Sequence, residues 1–394
     1  MVGAALACGL TGRGLSIAVL ESREPQRAWP AGEVDLRVSA LNHASRRILE
    51  RVGAWDRLRE LGASPYREMR VWDAVGHGSI HFDSAEVGAP DLGHIVENRV
   101  TQLALWERLE AAEDVTLICP TRLRDLTLTP DAALLDLADG GRLEARLLVG
   151  ADGRDSFVRD RLGIATRGWL YDQRAIVANE AVGEWHQETA WQRFLPTGPL
   201  ALLPLLDGRC SIVWSVTEAR GDELLAMDDK AFAAALEEAF ERRLGDVIAV
   251  GRRAAFPLRL QHAEEYVRPR LALIGDAAHA VHPLAGQGVN LGFMDAAELA
   301  AAVDEALAHK RDIGGLWALR RYERARRGEN ALMLAAMDGF KRLFSNAVLP
   351  VAAARSAGLV AADRIRPIKL AFMRHALGLG ADLPPLARAG GSGR

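Results

Sequence analysis

Short apolar runs and longer stretches with helical spacing of apolar residues alternate along this chain, a pattern typical of mixed α/β proteins. Strands are predicted at residues 15–20, 69–72, 80–82, 115–118, 132–137, 146–149, 254–260 and 271–274. Helices are predicted at residues 3–11, 44–61, 101–112, 230–243, 316–344 and 347–377. Each helix presents an apolar face, so the pattern predicts helices packed against buried sheets.

Two further segments depart from this alternation. Residues 175–216 are mostly strand-like and are broken by turn sequences at residues 196–199 and 207–209, which predicts one antiparallel sheet. The last stretch, GADLPPLARAGGSGR, is rich in Pro and Gly, and we expect it to be a frayed tail.

Composition narrows the class of protein. With 394 residues the chain is long enough for two domains, and its net charge of -3 offers no basic surface for nucleic acid. Cys8, Cys119 and Cys210 are too scattered for a disulfide framework or a zinc site. No apolar run is long enough to span a bilayer.

The first residues resemble part of a dinucleotide-binding unit. A predicted helix and strand lead to Glu21, an acid placed to accept hydrogen bonds from a ribose, and Gly3 lies at the distance expected for the last glycine of a GxGxxG fingerprint. An acid after a strand is common, so this signal is weak by itself. The preceding strand and two glycines are absent from the sequence. We therefore expect a misassigned start or a real truncation, with weakened cofactor binding.

Residues 147–163 predict a strand, a tight turn at residues 150–153 and a helix from Ser156. Glycine lets a backbone pass close to a ligand, and Asp152 is placed to hold either backbone amides or a ribose. An ordinary strand-to-helix turn remains an alternative. Arg154 and Arg159 belong either to the same functional turn or to the solvated surface of the helix that follows it.

The segment LALIGDAAHAVHPLAGQGVNLG is more specific. It predicts a strand ending at residue 274, then Gly275 and Asp276, a glycine-rich loop, and a helix from about Asn290. This order suits a sugar chain held by the aspartate, and a flat ring set against bare backbone and the positive end of a helix. For His279 and His282, packing and acid–base roles both stay open.

These motifs carry a family resemblance. GADGRDSFVR at residues 150–159 resembles the DG motif of class A flavoprotein monooxygenases, and GDAAHAVHPLAGQGVNLG at residues 275–292 resembles their GD motif. Within that class, residues 35–58, 64–76 and 92–109 resemble the ubiquinone-biosynthesis hydroxylases. The resemblance covers nearly the whole chain.

The resemblance implies an α/β fold, with a Rossmann-like FAD-binding domain, an inserted and largely antiparallel β-sheet substrate domain, and a C-terminal helical region. The implied FAD domain is discontinuous, at residues 1–68, 95–172 and 262–345. Residues 69–94 and 173–261 would form the substrate domain, and residues 346–394 the helical region and tail. Trp191, Phe194 and Trp214 are candidates for the substrate cavity or for core packing.

The resemblance also implies a reaction, in which NAD(P)H reduces FAD and one atom of O2 passes to a polyprenylated phenol or quinol ring. It requires no catalytic side chain and no metal, because the flavin carries the chemistry. By family position, the implied cofactor-binding residues are Gly3, Glu21, Arg37, Arg99, Gln102, Asp152, Gly275, Asp276, Pro283, Gly286, Gln287, Gly288 and Asn290.

The C5 hydroxylase of a 2-polyprenylphenol is the leading function, and the siblings acting at C1 or C6 share every motif. A NAD-dependent dehydrogenase and an inactive scaffold within a ubiquinone-synthesis complex are further alternatives. The resemblance implies a cytoplasmic protein, with other ubiquinone-biosynthesis proteins as possible partners. Residues 364–377 form a basic amphipathic stretch that either packs on the body or lies on the inner membrane.

Overall fold

The helices and strands of the computed structural model follow the order that the sequence predicts. Residues 1–76, 78–280, 288–344, 349–380 and 382–389 are described. The helices are α1 (Val2–Leu10), α2 (His43–Arg51), α3 (Trp55–Gly62), α4 (Asn98–Glu110), α5 (Phe157–Arg161), α6 (Glu218–Ala226), α7 (Asp229–Phe240), α8 (Gly288–Ala308), α9 (Leu316–Phe344), α10 (Leu349–Arg364) and α11 (Arg366–Ala376). None of those described has the length and apolar character needed to cross a bilayer.

The described strands fall into five sheets. They are β1 (Ile17–Leu20), β2 (Val38–Leu41), β3 (Ala63–Tyr66), β4 (Glu68–Asp73), β5 (Ser79–Asp83), β6 (Gly93–Glu97), β7 (Val115–Ile118), β8 (Leu123–Leu128), β9 (Ala133–Leu137), β10 (Arg142–Ala145), β11 (Leu148–Gly150), β12 (Thr166–Val182), β13 (Thr189–Leu195), β14 (Gly198–Pro204), β15 (Cys210–Thr217), β16 (Val247–Val250), β17 (Ala254–Ala263), β18 (Val267–Arg268), β19 (Leu271–Leu273) and β20 (His279–Ala280).

The largest sheet has the strand order β20-β17-β12-β15-β14-β13-β4-β5, with β16 also paired to β12. Strands β4 and β13 run parallel, and the other pairs are antiparallel. Parallel pairing occurs again in β1 with β7 and in β11 with β19. The predicted α/β class with a largely antiparallel sheet is therefore confirmed. The division into domains stays a prediction.

Helix α1 is made almost entirely of small and apolar residues, VGAALACGL, and lies between two cores. Leu6 and Leu10 pack into the core that holds β11, β19 and α9. Ala5 and Cys8 pack into a second core with α2, α3 and α4, and α8 contributes to both. The small side chains of α1 allow it to pack closely against the helices and strands of both cores.

The large sheet has two differently covered faces. On one, Trp191 and Trp214 pack with Phe232 and Phe240 of α7. On the other, residues such as Leu203 join a core with β2, β6 and α11. The core-packing alternative for Trp191 and Trp214 is thus the one observed. Phe194 also packs, since its ring stacks on Phe344 with 3.9 Å between centroids.

Three predictions about the backbone were wrong. The single helix expected at residues 347–377 is two helices, α10 and α11, which are separated at Ile365. The helix expected at residues 44–61 is two helices, because Gly53 adopts φ +74° in the break between α2 and α3. The tail expected to fray is ordered over residues 382–389, where Ala387 is fully buried and Leu386 packs against α1. Two leucines and an alanine among the prolines supply the apolar surface that holds it.

A buried ion pair fixes the C-terminal helices to the large sheet. Arg355 of α10 donates from Nε and Nη2 to the two carboxylate oxygens of Asp73, at 2.7 and 2.8 Å, and both side chains are fully buried. Arg355 also donates to the carbonyl oxygens of Leu343 and Phe344 at the end of α9. One guanidinium therefore ties β4, α9 and α10 together.

We expect Arg355→Met to lower the free energy of unfolding by about 3–5 kcal/mol, because it leaves the Asp73 carboxylate buried without its cation. The matched control is Arg364→Met at the exposed end of the same helix, which should change stability by no more than about 0.5 kcal/mol. Urea unfolding measures both. Equal losses in the two variants would contradict this role for the pair.

Candidate functional site

Two turns and one helix start meet at the carboxyl ends of β11 and β19. These strands are adjacent and parallel, with Gly150 opposite Leu273, so the turns that follow them lie side by side. A side chain at Gly3 of α1 would place its Cβ 2.9 Å from that of Ala151, and one at Gly275 would lie 3.3 Å from Val2. The glycines thus allow the start of α1, with its positive helix end, to enter between the two turns.

Asp276 follows Gly275, whose φ of +58° places it in the left-handed region. The Asp276 side chain is exposed, yet surrounding protein desolvates it and raises the pKa of its carboxyl. The carboxyl is therefore accessible to a ligand on its exposed side. Positive charge on His279, Arg37 and Arg154 opposes this rise in the pKa of Asp276. The Asp276 carboxyl therefore lies near basic side chains.

The turn after β11 is held by its own aspartate. The Asp152 carboxylate accepts from Ser156 Oγ at 2.5 Å and from the Val158 amide at 3.0 Å. Of its two predicted roles, the binding of backbone amides is the one observed. Arg159 is buried and donates to the carbonyl oxygens of Arg154 at 2.9 Å and Ala277 at 3.3 Å. It is therefore no solvated helix charge, and it links the two turns.

The other predicted residues of the first 110 positions lie in different settings. Glu21, half-buried at the end of β1, accepts from the amides of Ser22 at 2.7 Å and Arg23 at 3.2 Å. Gln102 is half-buried on α4. Arg37 is exposed, with its guanidinium 5.7 Å from the ring centre of Phe256.

Arg99 is engaged within the protein. Its guanidinium donates to the Glu97 carboxylate at 2.8 Å and to both the carboxylate and the carbonyl oxygen of Glu33, at 2.8 and 2.6 Å. The same group lies 4.3 Å from the ring centre of Trp29. Arg99 therefore fixes the segment ahead of β2.

The glycine-rich loop is described only at its far end. Gly288 begins α8, and Asn290 in its first turn is buried. Asn290 donates to the Ala40 carbonyl at 2.8 Å and accepts from Ser45 Oγ at 2.6 Å, which joins α8 to β2 and α2. His282, Pro283, Gly286 and Gln287 lie outside the described residues.

Asp295, a fully buried residue of α8, was not among the predicted site residues. Its carboxylate accepts hydrogen bonds from the Gly275 amide at 3.0 Å, Arg326 Nε at 2.8 Å and Asn330 Nδ2 at 3.1 Å. His279 Nε2 makes a further short contact with it. Burial alone would raise the pKa of Asp295, but His279 and Arg326 outweigh burial and lower the pKa to about 2.

A signal for Asp295 was present in the sequence. It stands among apolar neighbours in GFMDAAELAAA, and an acid on an apolar helix face is buried only when it is paired. The partners lie as far away as Asn330, and spacing alone does not identify them. His279 is one of them, so its role in the described structure is a hydrogen-bonded packing role.

The inner face of the large sheet is the one covered by β2, β6 and α11. Buried oxygens there that no described group satisfies include Asn179 Oδ1, Ser211 Oγ and Gln192 Oε1. Asn179 is paired with Ser211 across β12 and β15. Gln192 of β13 shares their face through the pairs Gln192–Ala201 and Ala201–Val213. Buried polar atoms are nearly always hydrogen-bonded in native proteins, so these oxygens mark a place for a polar ligand or water.

Comparisons with known proteins identify the family. The FAD binding domain family matches residues 1–335. The chain is 40% identical over 386 residues to the 3-demethoxyubiquinol 3-hydroxylase of Escherichia coli, covering 96% of each chain. It is 42% identical over 391 residues to the ubiquinone hydroxylase UbiL of Rhodospirillum rubrum, covering 98% of this chain and 90% of that one.

The chain belongs to the ubiquinone-biosynthesis hydroxylases. It is an FAD-dependent monooxygenase, as its motifs predict. Solved structures share its fold: PqsL of Pseudomonas aeruginosa, described as a probable FAD-dependent monooxygenase, has a TM-score of 0.75 at 24% identity, covering 91% of this chain and 96% of that one. The p-nitrophenol 4-monooxygenase PnpA of Pseudomonas putida has a TM-score of 0.77 at 19% identity, covering 95% of each.

The residues of this hydroxylase at the two turns fit FAD. Gly3 lets the start of α1 pack against Ala151, which is the role of the last glycine of a dinucleotide fingerprint, and the positive end of this helix suits a pyrophosphate. Glu21 and Asp276 are carboxylates that can accept hydrogen bonds from ribose and ribityl hydroxyls. These acceptors and the helix end suit a dinucleotide with sugar hydroxyls.

We expect Asp295→Asn to weaken FAD binding about tenfold, or about 1.4 kcal/mol, because an amide nitrogen replaces an acceptor and the Gly275 turn loses its anchor. The matched control is Asp304→Asn on the same helix, where the carboxylate is 42% exposed and pairs with Arg13. Flavin titration of the apoprotein measures affinity, and thermal unfolding of the same samples measures stability. Equal FAD affinity in both variants would contradict the role of Asp295.

Proposed function

We propose that this protein hydroxylates the ring of a polyprenylated phenol or quinol in ubiquinone biosynthesis, using NAD(P)H and O2. The observation that carries the proposal is the 40% identity, along 96% of both chains, to a 3-demethoxyubiquinol 3-hydroxylase. When bound, FAD supplies the transfer of electrons from NAD(P)H and the activation of O2. The chain's own residues bind the cofactor, orient the ring and exclude water.

For the cofactor, we propose two groups of residues. Glu21 would accept hydrogen bonds from the adenosine ribose, and Asp276 would hold the ribityl or pyrophosphate region by accepting from the hydroxyls there. Gly3 and Gly275 give the backbone room to approach. Arg37, Gln102 and Gly288 would lie along the same cleft, together with Pro283, Gly286 and Gln287 of the glycine-rich loop. Three further residues would position the cofactor site without contacting FAD, because their side chains hydrogen-bond to the surrounding backbone: Asp152, Arg99 and Asn290.

For the substrate, we propose that the ring lies against the inner face of the large sheet. Asn179 and Gln192 present carbonyl oxygens there, and Ser211 presents a hydroxyl. A phenolic O–H donates one hydrogen bond, and each of these three groups can accept it. Residues 69–94 and 173–261 would thus act as the substrate domain over an FAD domain formed by residues 1–68, 95–172 and 262–345.

The ring position has two candidates. The overall resemblance favours C5 hydroxylation of a 2-polyprenylphenol over the C1 and C6 siblings, which share its motifs, while the name of the Escherichia coli relative favours a demethoxyubiquinol as substrate. We propose the first as the leading substrate and the second as its alternative. An isoprenoid tail on either substrate favours peripheral contact of the enzyme with the inner membrane.

The deciding experiment supplies the purified holoenzyme with 18O2, NADH or NADPH, and each candidate ring carrying a short isoprenoid tail. We expect mass spectrometry to find one 18O atom in the product of one ring, with the hydroxyl at a single position. Oxidation of NAD(P)H that neither ring stimulates, with no oxygenated product, would contradict the proposal and favour an inactive scaffold.

We expect Gln192→Leu to raise KM for the ring substrate about tenfold, since one buried hydrogen bond is worth about 1–1.5 kcal/mol, and to leave FAD affinity unchanged. Trp191→Phe is the matched control, because Trp191 precedes Gln192 in β13 and faces the helix-covered side. Steady-state kinetics with flavin titration measures both quantities. An equal rise in KM in the two variants would speak against a ring contact at Gln192.

A further inference from the structure

Residues 32–35, shortly before β2, form a segment without helix or strand, which we call the strap. All four of its backbone carbonyl oxygens accept hydrogen bonds from side chains of residues distant in sequence. Arg209, in the turn between β14 and β15, donates to the Gly32 carbonyl at 2.6 Å, and Arg99 of α4 donates to the Glu33 carbonyl at 2.6 Å. Side chains from the large sheet and from α4 therefore satisfy a backbone that belongs to no sheet.

Asn179 of β12 holds the other two carbonyl oxygens. Its Nδ2 donates to the carbonyl oxygens of Val34 and Asp35, at 3.2 Å in each case. A carbonyl oxygen cannot donate a hydrogen bond, so these two contacts fix which end of the amide faces the strap. Asn179 Oδ1 then faces away from the strap, where it is buried without a partner among the described residues. One side chain therefore presents its donors to the strap and its acceptor to the proposed ring site.

The strap is followed closely by Arg37, which lies near the proposed cofactor site. The Asp35 amide donates to the Glu97 carboxylate at 2.6 Å, and the Arg37 amide donates to the Asp35 carboxylate at 3.3 Å. The positive charge of Arg37 opposes the rise in the pKa of Asp276, because its guanidinium lies near that carboxyl. A shift of the strap therefore moves a residue that brings positive charge to Asp276.

The backbone of Asn179 is held more firmly than the strap is. Strand β12 pairs with β15 there, with Asn179 opposite Ser211, and the Asn179 carbonyl accepts from the Gly251 amide at 3.1 Å. A Cβ at Gly251 would lie 2.4 Å from the same carbonyl oxygen, so the chain packs tightly on that side. Contact at Asn179 Oδ1 is therefore passed to the strap rather than absorbed by the strand.

We propose that Asn179 is a positioning residue that couples the ring site to the cofactor site through the strap. A ring O–H that donates to Oδ1 completes the hydrogen bonding of the amide, and a bond at one end of an amide strengthens the bonds at its other end. The strap is then held more firmly, and Arg37 with it. The proposal rests on the proposed function for the place of the ring. Its signature is that the ring and FAD each raise the affinity of the other by the same factor.

The test measures the dissociation constant of FAD from the full-length apoprotein by flavin titration, under argon and without NAD(P)H. Each candidate ring, carrying one isoprene unit, is either absent or saturating. We expect the ring to tighten FAD binding to the wild type about fivefold. Asn179→Leu should abolish this tightening, because leucine has a similar size and lacks both the donors and the acceptor.

Gln192→Leu is the matched control, because it removes a proposed ring acceptor and keeps the strap contacts. It should weaken ring binding and, once saturated with ring, keep the wild-type tightening of FAD. Arg209→Met frees the strap at Gly32 without removing a proposed ring contact, and it should reduce the tightening at least about twofold. Arg220→Met removes an arginine that pairs with Glu223 on α6, and it should leave the tightening unchanged.

The outcomes separate this proposal from the proposed function. A wild type that binds and hydroxylates a ring without tightening FAD would overturn the coupling and leave the proposed function standing. Wild-type tightening in Asn179→Leu, or its loss in Gln192→Leu as well, would also overturn the coupling. If Asn179→Leu does not fold, unchanged tightening in Arg209→Met overturns it instead. A wild type that neither binds nor hydroxylates either ring contradicts the proposed function and the coupling together.

Discussion

The buried carboxylate of Asp295 accepts hydrogen bonds from groups in two other parts of the chain: the turn and short strand at Gly275 and His279, and helix α9 at Arg326 and Asn330. A buried charge of this kind is tolerated only when its partners stay in place. The turn that presents Asp276, the helix that follows the glycine-rich loop, and the long helix α9 are therefore fixed relative to one another by a single side chain.

Helix α1 contributes a second constraint on these turns, which is close packing. Its glycines and alanines let it pass between two cores and reach the turns after β11 and β19. The carboxylate of Asp295 holds the turn at Gly275 through its amide, and the backbone of α1 packs against the turns at Ala151 and Gly275. The cleft around Asp276 thus depends on one electrostatic and one packing constraint, each contributed by a different helix.

Much of this could be predicted from local sequence, because strand-to-turn junctions such as LLVGADG and LALIGDA combine an apolar run with glycine and aspartate. The fold class, the family and the cofactor were accessible for that reason. The break at Gly53 could not be predicted in this way. The helical spacing of apolar residues continues across Gly53, although the helical backbone is interrupted there. The spacing of apolar residues indicates which side of a helix is buried, but it does not indicate whether the helix is continuous.

What local sequence does not reveal is the identity of partners distant in sequence. Arg99 holds Glu33, and Asp295 reaches residues as far away as Asn330. A polar residue near a cofactor motif has several candidate partners, and only the fold determines which one it meets. The unsatisfied oxygens of Asn179, Ser211 and Gln192 belong to the same class, because strand register brings them to one face.

The ordered segment at residues 382–389 has a consequence for local unfolding around α1. A Cβ at Gly9 would lie 3.2 Å from the Cδ1 of Leu386, so this segment rests directly on α1, whose start enters the cofactor cleft. Local opening of the segment would loosen α1, and a ligand held at the start of α1 would slow that opening. Amide hydrogen exchange near Ala387 and occupancy of the cleft are thereby linked, although one lies at the far end of the helix from the other.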